Sequence, residues 1–369
     1  MTLTDLDAVL AGLLDRLNPV ASCRVALADA AGLIAAEDPA QTAALPGYTS
    51  ARIDGWACHA LDLIGASPMS PVPFSAPPVW VEAGDPLPDG CNAVLRPDEV
   101  QKNGPFHLAI SEAIPAEGTI RPGEHLPGGS LLVQPGQRIS IADILLAEAA
   151  MTHDLPCRIP RIHLMDINGQ VGEGPSVRFV RAWLQSQGVQ VETLASPGRT
   201  ASDIAPLITA KGADLTVIIG GTGQGHKDET AAAIARAGQL VAHGIAFSSC
   251  QTACTGWHQD HPVIALPGAP ESAFAGCLGL LTPVIARLSG QRETPLLHLP
   301  LLRKISSAVG LSELVLMQRG TDGWQPMTVG RLTLDQLRRA DGWLIVPAGN
   351  EGYPSGTILG ARPLVNGDR

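Results

Sequence analysis

The segment Asp214-Leu-Thr-Val-Ile-Ile-Gly-Gly-Thr-Gly-Gln-Gly-His-Lys-Asp-Glu-Thr230 restricts the fold more than any other part of the chain. Leu215 to Ile219 is an apolar, β-branched run of strand length, and Ala231 to Ala237 reads as the start of a helix. Between them lie Gly220, Gly221, Gly223 and Gly225. Glycine at that density marks backbone that takes positive φ or comes close to another group. A buried strand feeding such a turn and a helix is the βα unit of a parallel sheet, whose ligands sit beyond the carboxyl ends of the strands. The helix N-terminus directs unbonded N–H groups and partial positive charge at the turn, which suits an anion. Asp228 beside it suits a cation shared with that anion, or a helix N-cap. His226 reads as a phosphate donor or an exposed turn residue, the second being favoured.

The flanking sequence repeats the alternation. Ile162 to Met165, Val189 to Thr193 and Pro262 to Leu266 read as strands; 177–187, 201–211 and 273–288 read as helices. The expected result is a parallel sheet with crossover helices. Residues 4–17 have Leu6, Val9, Leu10, Leu13, Leu14 and Leu17 at helical spacing, with Thr4 as the expected N-cap. Residues 139–151 read as a second helix, with Ile141, Ile144, Leu145 and Ala149 on one side. Proline-rich sequence between 48 and 124, and short strands and turns after 292, read as β structure.

A chain of 369 residues exceeds one ordinary core. Its net charge of −10 disfavours nucleic acid and anionic membrane surfaces as partners. Seven scattered cysteines, an odd number, fit reduced thiols better than a disulfide framework, and Met1 to Pro19 lacks the basic start of a secretion signal. The expected location is the cytoplasm.

Four further motifs occur in order. They are Ser50-Ala-Arg-Ile-Asp-Gly-Trp-Ala57; Ala83-Gly-Asp-Pro-Leu-Pro-Asp-Gly-Cys-Asn-Ala-Val94, followed by Glu99; Arg121-Pro-Gly-Glu124; and Leu266-Pro-Gly-Ala-Pro-Glu-Ser-Ala273. Together they resemble the MoeA family, the molybdopterin molybdenumtransferases, over about residues 35–364, as a divergent member. The resemblance implies a multidomain α/β plus β fold. A segmented helical domain (1–47 and 125–157) would carry an inserted β-rich domain (48–124). A molybdopterin-binding three-layer α/β domain (158–291) and a C-terminal β-barrel-like domain (292–369) would follow. It also implies a homodimer, with a cleft between the α/β domain of one subunit and the inserted domain of its partner. The implied reaction inserts molybdate into adenylylated molybdopterin with magnesium and releases AMP. A recipient molybdoenzyme or an adenylyltransferase is the macromolecular partner such a role implies.

Matched residue by residue, Asp54 and Asp228 are the expected catalytic acids. Ser50, Gly55, Gly220, Gly221, Thr222, Gly223, Gly225, Lys227, Pro267, Gly268 and Pro270 are the expected substrate contacts. Two family elements are missing. Met165-Asp-Ile-Asn-Gly-Gln-Val-Gly-Glu173 stands where a Thr-Gly-Asp-Glu-Leu run supplies a cation ligand, leaving Asp166 and Glu173 as substitutes beside Asp228. Ile245-Ala-Phe-Ser-Ser-Cys-Gln-Thr252 replaces a Pro-Gly-Lys-Pro turn and removes its lysine. The turn Gly220-Gly-Thr-Gly-x-x-x-Lys-Asp-x-Thr230 is similar to that of molybdopterin adenylyltransferases, and also to that of the CinA proteins. Adenylyl transfer and a catalytically degenerate molybdopterin carrier therefore stand as alternatives. Separately, Cys250, Cys254, His258 and His261 fall within twelve residues and are suitable zinc ligands by type.

Overall fold

The computed structural model describes residues 2–36, 42–167, 173–327, 329 and 331–364. It forms two compact units, one of Met1–Asp38, Pro135–Ser140 and Asp154–Arg369, the other of Pro39–Gln134 and Ile141–His153.

The first unit is built around a six-stranded sheet. Its strands are β1 (Arg161–Asp166), β2 (Gln190–Ala195), β3 (Leu215–Ile219), β4 (Gln239–His243), β5 (Cys254–His258) and β6 (His261–Leu266), in the order β2-β1-β3-β6-β5-β4. The helices α1 (Pro175–Ser186), α2 (Ala201–Ile208), α3 (Thr230–Ala237) and α4 (Pro270–Gly276) connect or follow the parallel strands. Strands β2, β1, β3 and β6 run parallel, whereas β5 is antiparallel to both of its neighbours, β6 and β4. The expected all-parallel sheet is thus corrected to a mixed one. Residues 250–261 give no helical or alternating pattern, yet most of them form a strand and the tip of a β-hairpin.

All five residues of β3 are buried, as its continuous apolar sequence demands of a strand covered on both faces. One cover joins α1 and α4 to the N-terminal helix through Val177, Val180, Phe274, Leu6 and Leu13. The other joins α2 and α3 through Ile204, Ile208, Ala233 and Ile234. The N-terminal helix runs Leu6–Leu14, and its cap is Asp5, whose carboxylate accepts from Ala8 N at 3.0 Å. Thr4, the expected cap, instead bridges Ile245 as extended backbone.

Segment 245–252 is part of this core. Ile245, Phe247 and Cys250 are buried, and Phe247 lies against Gly279 in the π-helical turn Cys277–Leu281 that follows α4. The helical run Pro270–Ser289 is long and apolar enough to cross a membrane, but 72% of that window is buried within the molecule, as in a core helix.

The C-terminal strands Leu297–Pro300, Ile358–Pro363, Gly342–Val346, Glu313–Arg319 and Trp324–Pro326 form one sheet in that order. Its first and last strands meet: Trp324 Nε1 donates to Leu297 O at 3.1 Å and Leu302 N to Trp324 O at 2.8 Å. The sheet thereby nearly closes into a barrel around Trp324, Val315 and Met317.

The second unit contains two three-stranded sheets. Gly55–Cys58 is flanked by Val79–Val81 and Ala93–Leu95, and Phe106–Ala109 by Val72–Pro73 and Val100–Asn103. Helix Ile141–Ala149 buries only Ala147, and Ile141 and Leu145 are exposed. Its apolar side is therefore not a core face within this unit, contrary to the simplest reading of its spacing.

A Cβ on Gly279 would stand 2.6 Å from Phe247 Cε1, inside contact distance. Gly279→Ala should cost about 1–3 kcal/mol, the usual range for overpacking a filled core. Urea unfolding checks this, and Phe247→Leu in the same chain should recover part of the loss. An unchanged midpoint for Gly279→Ala would refute the packing described.

Candidate functional site: a stitched loop cluster at the carboxyl edge of the sheet

Strand order β2-β1-β3-β6, with α1 and α2 on opposite faces, puts a topological switch point between β1 and β3. Ligands of open α/β sheets bind outside the strand ends at such a point. The carboxyl ends of β1 and β3 lie there, with the loop after β3 (220–229) and, beside it, the loop after β6 (267–269).

The β3 loop is held by its own helix. Thr230 Oγ1 donates to Gly220 O at 2.9 Å and Thr230 N to Gly221 O at 3.0 Å, both buried. Gly221 has φ of 66°, and a Cβ there would lie 2.5 Å from Thr230 Oγ1. Only glycine satisfies both requirements. Gly220 N donates to Leu266 O at 2.9 Å, joining this loop to β6.

Asp228 faces back into the turn. Its Oδ2 accepts from Gly225 N at 3.0 Å, and a Cβ on Gly223 would stand 2.5 Å from the same oxygen. The N-cap of α3 is Glu229, so the expected cap role of Asp228 is corrected. Thr222 is buried, with its hydroxyl 3.1 Å from that of Thr252 and its carbonyl accepting from His243 Nε2 at 3.0 Å. His226 and Lys227 are exposed on the rim.

The other loops are tied in. Asp166, at the end of β1, accepts from Gly174 N at 2.9 Å. Ser176, buried at the start of α1, donates to Gly268 O at 2.7 Å, fixing the Pro267–Pro270 loop through its backbone. Glu173 is ion-paired with Arg181. Asn168 to Gly172, part of the stretch Met165–Glu173 that stands in place of the Thr-Gly-Asp-Glu-Leu run, lie outside the described residues.

The expected cation ligands are dispersed. Glu173 is occupied by Arg181 and Asp166 by backbone, and no group of three or more His, Cys, Asp or Glu able to hold a metal occurs among the described residues. Magnesium needs only one or two protein carboxylates when substrate phosphate supplies the rest, and Asp228 at the turn fits that requirement.

The expected zinc set is contradicted. Cys254 and His258 are at opposite ends of β5, about 13 Å apart at the usual rise per residue. A tetrahedral zinc holds its ligand atoms about 2 Å away and cannot span that distance. His258 Nδ1 donates to Ala237 O at 2.7 Å, and His261 Nε2 lies 2.7 Å from Thr216 Oγ1. Cys250 is fully buried, and burial pushes its thiol far up and that of Cys254 up to about 12. The four side chains serve the hairpin and its packing.

In the second unit three of the sequence motifs fold onto one another. Asp54 Oδ1 accepts from Ala83 N at 2.8 Å, while Gly84 N and Ala51 O, and Ala51 N and Asp85 O, pair at 2.8 and 2.9 Å. Arg52 is ion-paired with Glu124. The Arg121 backbone N–H, then Arg52, holds the Glu124 carboxyl below its ordinary value. Ser50 is buried, paired with Ile120, and a Cβ on Gly55 would overlap the Leu95 carbonyl. Both residues have packing roles here.

Sequence reasoning gave no role to Ser176, which holds the Pro267–Pro270 loop, or to Thr230, which holds the glycine turn. Their common signal is position, since each lies in or just after a loop that follows a parallel strand.

This fold and edge define an open α/β protein with a topological switch point in its sheet, joined in one chain to a β unit and a C-terminal barrel. Residues 4–150 match the MoeA N-terminal region (domain I and II), and residues 172–287 match the probable molybdopterin binding domain. The chain belongs to the MoeA family. It is 27% identical to the molybdopterin molybdenumtransferase of Synechococcus elongatus, covering 94% of this chain and 95% of the relative. It is 26% identical to the enzyme of the same name from Haemophilus influenzae, covering 72% and 73%. The crystal structure of the molybdopterin biosynthesis moeA protein from Pyrococcus horikoshii superposes with a TM-score of 0.74 at 18% identity, covering 98% of this chain and 100% of that one.

His261 generates a pH prediction. Burial pushes its imidazole below the ordinary value, helped by neighbouring His163 and His258 and opposed by the Ala213 carbonyl and Asp214. Above about pH 6.5 both folded and unfolded chains carry neutral imidazole. Below it the unfolded chain binds a proton that the folded one resists, so this share of stability is lost as pH falls. Urea midpoints should decline from pH 7.5 to 5.5, and His261→Gln should flatten the decline. Parallel slopes for the two proteins would contradict this.

Proposed function

We propose that this chain inserts molybdate into adenylylated molybdopterin and releases AMP, a step of molybdenum cofactor assembly. The observation that carries the reading is the turn Gly220–Asp228 at the switch point, within a stretch similar to a molybdopterin binding domain. Transferases of that name that align along most of this chain support the choice of reaction.

In this reading the backbone of Gly220 to Gly225 and the N-terminus of α3 receive substrate phosphate, because both present N–H groups and positive dipole to it. Asp228 would hold magnesium at the turn, and Asp166, at the neighbouring strand end and with Oδ2 accepting from Gly174 N, is proposed as a second acid. Bound magnesium would neutralise charge on the phosphoanhydride and ease departure of AMP. Pro267, Gly268 and Pro270 wall the opposite side, held by Ser176. Lys227 contributes a mobile charge at the rim. Asp54 belongs to the motif cluster of the second unit and is proposed as a further acid for the reaction. The active form is proposed to be a homodimer in the cytoplasm, with the four-part domain division given by the sequence.

Purified protein incubated with adenylylated molybdopterin, magnesium and molybdate should release AMP in a molybdate-dependent manner. Asp228→Asn should slow this at least 100-fold, the scale expected when a ligand to an essential charge-neutralising ion is removed. Pterin binding without AMP release would favour the carrier reading. Glu173 engaged by Arg181, and the lysine-free segment 245–252, are the features that would then account for it.

A further inference from the structure

We propose that Arg199 is the anion-binding side chain of the glycine turn, an assignment that rests on reading that turn as a phosphate site. Arg199 is in the loop between β2 and α2, at the same carboxyl edge of the sheet. Its guanidinium Nη2 lies 3.9 Å from Asp228 Oδ1, while the other oxygen of that carboxylate accepts from Gly225 N.

The placement is built. Ser196 Oγ donates to Gly198 O at 2.6 Å, and Gly198 fits against the Asp203 carboxylate, where a Cβ would stand 2.8 Å from Cγ. Thr200 and Asp203 form a reciprocal capping box at the start of α2, with Thr200 Oγ1 donating to Asp203 Oδ2 at 2.6 Å. That hydroxyl, then the Thr200 backbone N–H donating to the same oxygen at 3.1 Å, pulls the Asp203 carboxyl below its ordinary value. Glu229 Oε2, from the end of the glycine turn, accepts from Ala201 N at 2.6 Å. The residues on both sides of Arg199 are thus fixed, one side to its own helix and the other to the turn.

Charge balance at the turn calls for such a group. Asp228 points into the turn, so an incoming phosphate meets a carboxylate. Helix dipole and backbone N–H groups supply only partial charges. Segment 245–252 contains no lysine or arginine, and Lys227 is on the exposed rim. The separation of 3.9 Å is an ion pair without a hydrogen bond, in a partly exposed position where such pairs contribute little. A phosphate at the turn would meet this guanidinium beside Asp228. Guanidinium is also suited to it, since its planar fork meets two oxygens of a tetrahedral anion at once. Arg199 thus stands beside Asp228 at the turn. With phosphate present, Arg199 takes the anion and Asp228 is left to a cation.

The test is calorimetric titration of the full chain with AMP, and with adenosine as a phosphate-free control, in chelator and again with magnesium. Arg199→Ala should weaken AMP binding at least tenfold, Arg199→Lys should recover part of it, and adenosine binding should be the same in all three proteins. Equal AMP affinity for wild type and Arg199→Ala would overturn the assignment. So would parallel loss of AMP and adenosine binding, which marks a structural role, or absence of AMP binding by the wild type. Arg199-dependent AMP binding without molybdate-dependent AMP release would support the assignment and reject the proposed reaction.

Discussion

The site depends on the contact between Gly220–Gly221 and Thr230. A strand buried on both faces must leave the core abruptly if its loop is to serve a ligand at its end. Thr230 achieves this by bonding both glycine carbonyls, with hydroxyl and amide, at 2.9 and 3.0 Å. The positive φ of Gly221 and the 2.5 Å approach of its missing Cβ to the hydroxyl make the contact specific to glycine. With the turn fixed, the start of α3 and the direction of Asp228 are fixed as well.

The remaining loops depend on that turn in succession. Gly220 joins β6 through Leu266, Gly268 is held by Ser176, Asp166 by Gly174, and Ala201 by Glu229. Two of these four bonds, Ser176 to Gly268 and Ala201 to Glu229, link backbone to side chain across different βα loops. A rigid anion site on loops needs such cross-links, because a loop without them loses its geometry to conformational entropy. The mixed sheet serves the same end. Strands β5 and β4 cover one side of β6, and His243 on β4 reaches the carbonyl of Thr222.

Much of this was legible in the residues. The run Leu215 to Ile219, the glycines and the alternation of strands and helices predict the parallel part of the sheet and its loaded edge. What escaped did so for physical reasons. Residues 250–261 combine cysteine, histidine, glycine and tryptophan, and their strand is stabilised by cross-strand partners instead of a period-two pattern. The same four Cys and His residues imitate a metal set because type and proximity in sequence are visible, whereas a strand's extension is not. Thr4 lost the cap to Asp5 because a tertiary bridge to Ile245 claimed its backbone. The exposed face of Ile141–Ala149 has the periodicity of a core helix, and periodicity does not say which surface covers it. Arg199 was missed because its meaning comes from a loop neighbour distant in sequence.

The most direct test of the account is a crystal structure of the protein with AMP and magnesium. The phosphate should lie within hydrogen-bond distance of backbone N–H groups between Gly220 and Asp228, with the metal bound to Asp228. Phosphate bound elsewhere, as in the cleft of about 490 Å³ beside Arg319 and Asp341 in the C-terminal barrel, would contradict it.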